Sequence, residues 1–197
     1  MNKKYIQQLA KSFAVIPILA STLTANPLQI INDRVVTMSI QASDQQFLRA
    51  LDEQAKARKD KADQIDAYFS EYDMPLEGYG MKMVIEAEKN NIDWRLIPAI
   101  SVRESTGGKH ACKKVKNSPF GWGSCKIPFT SMDEAIEKLA LNLGGNNPNT
   151  AYHYDNKTTE EILKAYNPPS IVPKYTKQVL AIMSDISNDD SIAIKNS

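Results

Sequence analysis

Glu104 stands at the end of an apolar run, Ile97-Pro98-Ala99-Ile100-Ser101-Val102-Arg103-Glu104-Ser105-Thr106-Gly107-Gly108. Counting back from it by helical spacing gives Ser101, Ile100 and Ile97, so its carboxyl shares a face with core residues. A carboxylate held against apolar surface has its charged form disfavoured, which suits a group that must give up a proton near neutral pH. Gly107 and Gly108 then let the chain turn and would leave open space beside the acid. The chemistry implied is general acid catalysis. Around the acid the chain is basic: Arg103, Lys109, Lys113, Lys114, Lys116 and Lys126 face only Glu104 in opposition. Such an excess attracts an anionic polymer, or it simply keeps a loop soluble.

The same stretch holds both cysteines, Cys112 and Cys125. A close even pair in an exported chain reads as a disulfide, and closing that loop would contribute about 3 kcal/mol in the chain-entropy picture. A two-cysteine metal site would need further ligands, and of the two histidines, His110 and His153, only His110 is near. No metal and no cofactor is expected.

The elements that must position these groups read as helices. Export is suggested by residues 1–25, where Lys3, Lys4 and Lys11 precede the short apolar core Phe13–Ala20 and small residues follow. The core is too short to span a bilayer, although the wider stretch to Ile31 could serve as an uncleaved anchor. Residues 41–72 lack glycine and repeat Leu48, Leu51, Ala55, Arg58, Ala62, Ile65, Phe69 and Tyr72 at three- and four-residue steps. That spacing predicts an amphipathic arm, either a coiled coil joining copies or partners, or a helix folded back on the main domain. Helices are expected over Met81–Lys89, from an Asp93 N-cap up to Glu104, from a Ser131/Glu134 capping box to Leu143, over Glu160–Tyr166 behind Thr158 or Thr159, and from near Pro173 through Met183. Pro98 implies a kink or a later start for the second of these. Lys109–Phe129 reads as a loop closed by the cysteines, and residues 187–197 as a loose tail. No strand pattern is convincing, so the fold class is mainly α. The net charge of +1 gives no pull toward nucleic acid.

Taken in order, Asp93-Trp94-Arg95-Leu96-Ile97-Pro98-Ala99-Ile100, Glu104-Ser105, Phe120-Gly121-Trp122-Gly123 and Ala165-Tyr166-Asn167 resemble the lysozyme-like superfamily. Within it the chain is most similar to bacterial peptidoglycan-cleaving enzymes of the endo-N-acetylglucosaminidase and soluble lytic transglycosylase types. The resemblance covers residues 73–186. It implies a lysozyme-like helical domain with the cysteine-closed loop beside a cleft, and peptidoglycan glycan strands as substrate. It also implies a secreted, periplasmic or cell-wall location. Glu104 matches the catalytic acid and Tyr166 the catalytic tyrosine facing it, while Ser105, the helix-end neighbour, and the glycine-containing wall of Phe120, Gly121, Trp122 and Gly123 would touch substrate. Asn167, and Tyr152 with Tyr154, would add contacts to the sugar. Pro168-Pro169-Ser170 after Asn167, and Gly121-Trp122-Gly123-Ser124 in place of Gly-Leu-Met-Gln, depart from the transglycosylase pattern toward the glucosaminidase branch. The missing second carboxylate favours a single-acid route; Asp133, Asp155, Glu160 and Glu161 are the nearest candidates for a partner. A wall-binding module without turnover is the reading from another class.

Overall fold

The computed structural model describes residues 27–187, with side chains from Asp44 onward. Contacts divide the chain into two units, Met1–Leu48 and Arg49–Ser197. The second unit carries the core and the candidate site. Among the described residues every regular element is helical, and no strand occurs. The expected export signal at 1–25 lies outside the described residues, as does the tail beyond Ser187. No helix among those residues is long and apolar enough to cross a membrane.

The first helix, α1, spans Pro27–Glu71 and therefore begins well before the arm expected at 41–72. Its seam divides by position. Leu51 is exposed, whereas Ala62, Ile65 and Phe69 are buried in the core. The final turns of α1 are thus part of the domain rather than a free arm ahead of it, because that stretch of the seam is buried in the common core. That helix, α2 (Gly80–Lys89), buries Met83, Val84 and Ala87. The two helices touch where Gly80 lies against α1: a Cβ there would stand 2.4 Å from the Ala62 carbonyl oxygen. Asp66 of α1 secures the junction, its Oδ1 accepting from the Gly78 and Gly80 amides, each at 2.9 Å.

Helix α3 (Leu96–Ser105) buries Leu96, Ile97, Pro98, Ala99, Ile100, Ser101 and Ser105. It is apolar nearly all round because it packs against α2, α5 (Met132–Leu143) and α8 (Tyr175–Ser187). Its start is the later one that Pro98 allows. In the first turn of a helix the missing proline N–H has no intrahelical partner to lose. Asp93 does not cap the helix as expected; Arg95 occupies the N-cap position. The Asp93 carboxylate instead accepts from the backbone and guanidinium of Arg95.

A single irregular turn, α4 (Trp122–Cys125), interrupts the loop after α3, with Gly123 and Ser124 outside helical geometry. Cys112 and Cys125 are joined by a disulfide, their Cα atoms 5.6 Å apart. Ser131 caps α5 by accepting from the Glu134 amide, but the returning half of the expected box is displaced: Glu134 bonds Thr130, not Ser131. Two short helices follow, α6 (Ala151–Tyr154), which periodicity did not reveal, and α7 (Thr159–Tyr166) behind a complete Thr158/Glu161 capping box. Helix α7 packs on α8, which closes the core with Tyr175, Val179, Met183 and Ile186.

Candidate active site

Glu104 occupies the last turn of α3, half-buried, and its carboxyl opens into a cleft of about 440 Å³. Phe120, Gly121, Trp122, Gly123, Tyr154, Tyr166 and Asn167 line that cleft with it. Local sequence explains how a helix end and a distant loop meet there. Ser105, next to the acid, turns its hydroxyl inward and donates to the Pro119 carbonyl at 2.6 Å, while accepting from the Gly108 amide at 3.0 Å. The hydroxyl thus ties the end of α3 to the residue preceding Phe120-Gly121. Ser105 was expected to touch substrate; it is 3% exposed and acts as the pin beneath the wall.

The room beside the acid comes from Gly121, not from Gly107 and Gly108. Gly121 adopts φ +64°, and a Cβ on it would lie 2.8 Å from Glu104 Oε2. Gly107 is packed against Met74, its carbonyl accepting from the Leu76 amide at 3.1 Å, so it serves the core. The left-handed residue that ends α3 is Thr106.

Two tyrosines divide the work expected of one. Tyr166 is present in the cleft, but its hydroxyl donates to the Phe120 carbonyl at 2.6 Å and so holds the wall. The group that bonds the acid is Tyr175, at the start of α8, whose hydroxyl donates to Glu104 Oε1 at 2.7 Å. The two rings stack, with centroids 6.0 Å apart and planes 17° from parallel. Arg103 lies over the Tyr175 ring at 5.6 Å and bonds Gln178, which fixes the ring from α3. Burial first, then the neighbouring Tyr166 and Glu104, push the Tyr175 phenol far above its ordinary value. Burial and the Glu104 charge do the same to Tyr166. Both phenols therefore remain hydrogen-bond donors at neutral pH.

Trp122 continues the aromatic wall, its ring centroid 5.5 Å from Tyr166 and 6.5 Å from Tyr154. Burial raises the Tyr154 phenol to about 12. Of the tyrosine pair in α6, Tyr154 lines the cleft, whereas Tyr152 is 76% exposed and stands away from it. At 3.6 residues per turn, side chains two positions apart point about 200° apart around the helix axis, so the two cannot share the groove. Gly123, also left-handed, lies against Ile127, and Asn167 ends α7 at the cleft.

Glu104 is the one carboxylate among the described residues lining the cleft. The four candidate partners are engaged or placed elsewhere. Glu161 belongs to the Thr158 box, Glu160 pairs with Lys164, Asp133 is exposed in the first turn of α5, and Asp155 follows α6 outside the cleft. Among the described residues no cluster of three or more His, Cys, Asp or Glu could hold a metal ion. No protein-family model matches this chain, and neither a curated protein nor a solved structure does.

Proposed function

We propose that the chain is an exported, lysozyme-like cell-wall glycosidase of the N-acetylglucosaminidase kind, cutting β-1,4 links of peptidoglycan with Glu104 as general acid. The observation that carries this reading is the lone carboxyl at the cleft, with Oε1 held by Tyr175 and Oε2 beside the space that Gly121 leaves open. A glycosidic oxygen entering that space would meet a proton donor of fixed orientation as positive charge builds on the departing ring. Trp122 offers an aromatic face to the apolar side of a sugar, and Asn167 offers amide hydrogen bonds. The ordered segments shared with the lysozyme-like superfamily support the assignment. So does the disulfide, which suits an oxidising compartment outside the cytosol.

The absence of a second carboxylate from the described cleft lining favours a substrate-assisted completion. In a hydrolase the acetamido group of the sugar would steady the cation until water attacks. In a lytic transglycosylase the muramyl hydroxyl would attack instead, so the same single acid serves that second reading. Incubating the protein with purified walls tests both. Glu104→Gln should abolish release of soluble fragments, and undiminished release would reject the assignment. Product masses separate the branches, since hydrolysis leaves reducing ends and transglycosylation leaves anhydro ends. Glycan binding by the intact protein with no turnover would make it a binding module.

A further inference from the structure

The lobe between α3 and α5 carries a positive charge that the rest of the domain does not balance. From Ser105 to Met132 the chain holds Lys109, Lys113, Lys114, Lys116 and Lys126 and no acidic residue. All five side chains are exposed. None forms an ion pair among the described residues, whereas lysines elsewhere, such as Lys59, Lys82 and Lys164, are paired with carboxylates. Because the whole chain is only +1, the remainder is net acidic and the basic character is concentrated here.

Covalent and backbone bonds gather these charges. The Cys112–Cys125 disulfide brings Lys113 and Lys126, each next to a bridged cysteine, to one place. The Phe129 amide bonds the Lys116 carbonyl at 3.1 Å, and Asn117 donates to the Phe129 carbonyl at 3.0 Å, closing the other end of the lobe. Gly123 and Ser124, within the same loop, line the Glu104 cleft, and Lys126 follows Ser124 two residues later in the chain.

We infer that this lobe is a docking surface for a flexible phosphodiester polyanion, a wall polymer lying alongside the glycan. Clustered ammonium groups on long stems bind phosphates as point charges and tolerate an irregular chain. Of the aromatics in this loop, Phe120 is buried, and Trp122 lines the Glu104 cleft packed against Tyr154 and Tyr166, where its face serves the cleft and not the lysines. Base stacking, on which single-stranded nucleic acid binding relies, therefore has no platform here. This docking goes beyond cleavage and does not require Glu104 to act.

The test uses full-length Glu104→Gln protein and synthetic poly(glycerol phosphate) in a binding titration, with a neutral chitin oligomer and phosphatidylglycerol vesicles as comparators. Releasing counterions from about five phosphates predicts roughly hundredfold weaker binding when salt rises from about 50 to 200 mM. Lys113→Glu/Lys114→Glu/Lys116→Glu should abolish polymer binding, and the corresponding glutamine triple variant should weaken it by an intermediate factor. In a Glu104 background both variants should keep wild-type cleavage of phosphate-free walls, which also reports that they fold. Absent, salt-insensitive or unaltered polymer binding overturns the inference, and so does tighter binding to the vesicles. Failure of wall cleavage with intact polymer binding would remove the glycosidase reading and leave this one standing.

Discussion

Replacing Tyr175 by phenylalanine removes one oxygen and leaves the ring where Tyr166 and Arg103 hold it. What disappears is the donor to Glu104 Oε1 at 2.7 Å. With Glu104 carrying the proton it must donate, the bond joins two neutral groups and contributes about 0.5–1.5 kcal/mol. Glu104 is half-buried and water reaches it through the cleft, so part of that loss is recovered. A net cost of about 0.5–1 kcal/mol remains, which corresponds to roughly a two- to fivefold fall in rate at about 1.4 kcal/mol per decade. The cost falls on orientation of the acid and not on the core, so the thermal midpoint should stay within about 4 °C of wild type. The assay is initial fragment release from purified walls, with Glu104→Gln as the zero and thermal melting alongside. Wild-type release by Tyr175→Phe would refute the role given to this hydroxyl, as would a loss of rate that merely follows a loss of fold.

Gly121→Ala forces a side chain into a left-handed position, costing about 1–2 kcal/mol, and its methyl meets Glu104 Oε2. Misplacing the acid should lower wall cleavage about a hundredfold, well beyond the stability change, as paired rate and melting measurements would show. Reducing the disulfide, or replacing Cys112 and Cys125 by serine, should lower unfolding free energy by about 3 kcal/mol in a denaturant titration. Burial pushes the Glu86 carboxyl up, but hydrogen bonds from Lys89 and Lys82, with their charges, outweigh it and hold the group below its ordinary value of 4.5. Its stabilising share is therefore complete above that value and lost as pH falls through the lower, folded one. Urea titrations from about pH 6 down to 3 should show this acid-side loss in wild type and a flatter response in Glu86→Gln. Ser105→Ala should cost about 1–3 kcal/mol, because the buried Pro119 carbonyl and Gly108 amide both lose a partner.

The parts of this fold that local chemistry dictates were legible before any coordinates. Thr158 or Thr159, and Ser131, marked helix starts because a side-chain oxygen and an amide three residues on can meet within one turn; the structure selects Thr158, with Glu161 closing a box. Ile97, Ile100 and Ser101 marked a helix enclosed by others, and that enclosure put Glu104 at its accessible end. Tyr175 falls within the helix expected from near Pro173 through Met183, and its spacing there assigns it no role. Its ring is buried, but the hydroxyl finds its partner 71 residues away, and spacing within a helix carries no trace of such a pairing. Gly107 and Gly121 are equally permissive in isolation; only packing against Met74 in one case and Glu104 in the other separates them. The apolar seam of α1, broken only at Arg58, runs on through Phe69, and its spacing does not say which stretch finds a neighbour.

The contact between Gly80 and the Ala62 carbonyl determines where the molecule can be cut. A shortened version beginning at Asp73, where the family resemblance begins, would strip Ile65 and Phe69 from the core and leave the Gly78 and Gly80 amides without Asp66. Fusions or graftings of the long helix onto another protein would therefore have to leave about its last four turns behind, since Arg58 is still ion-paired to Glu88 of α2 and those turns are foundation.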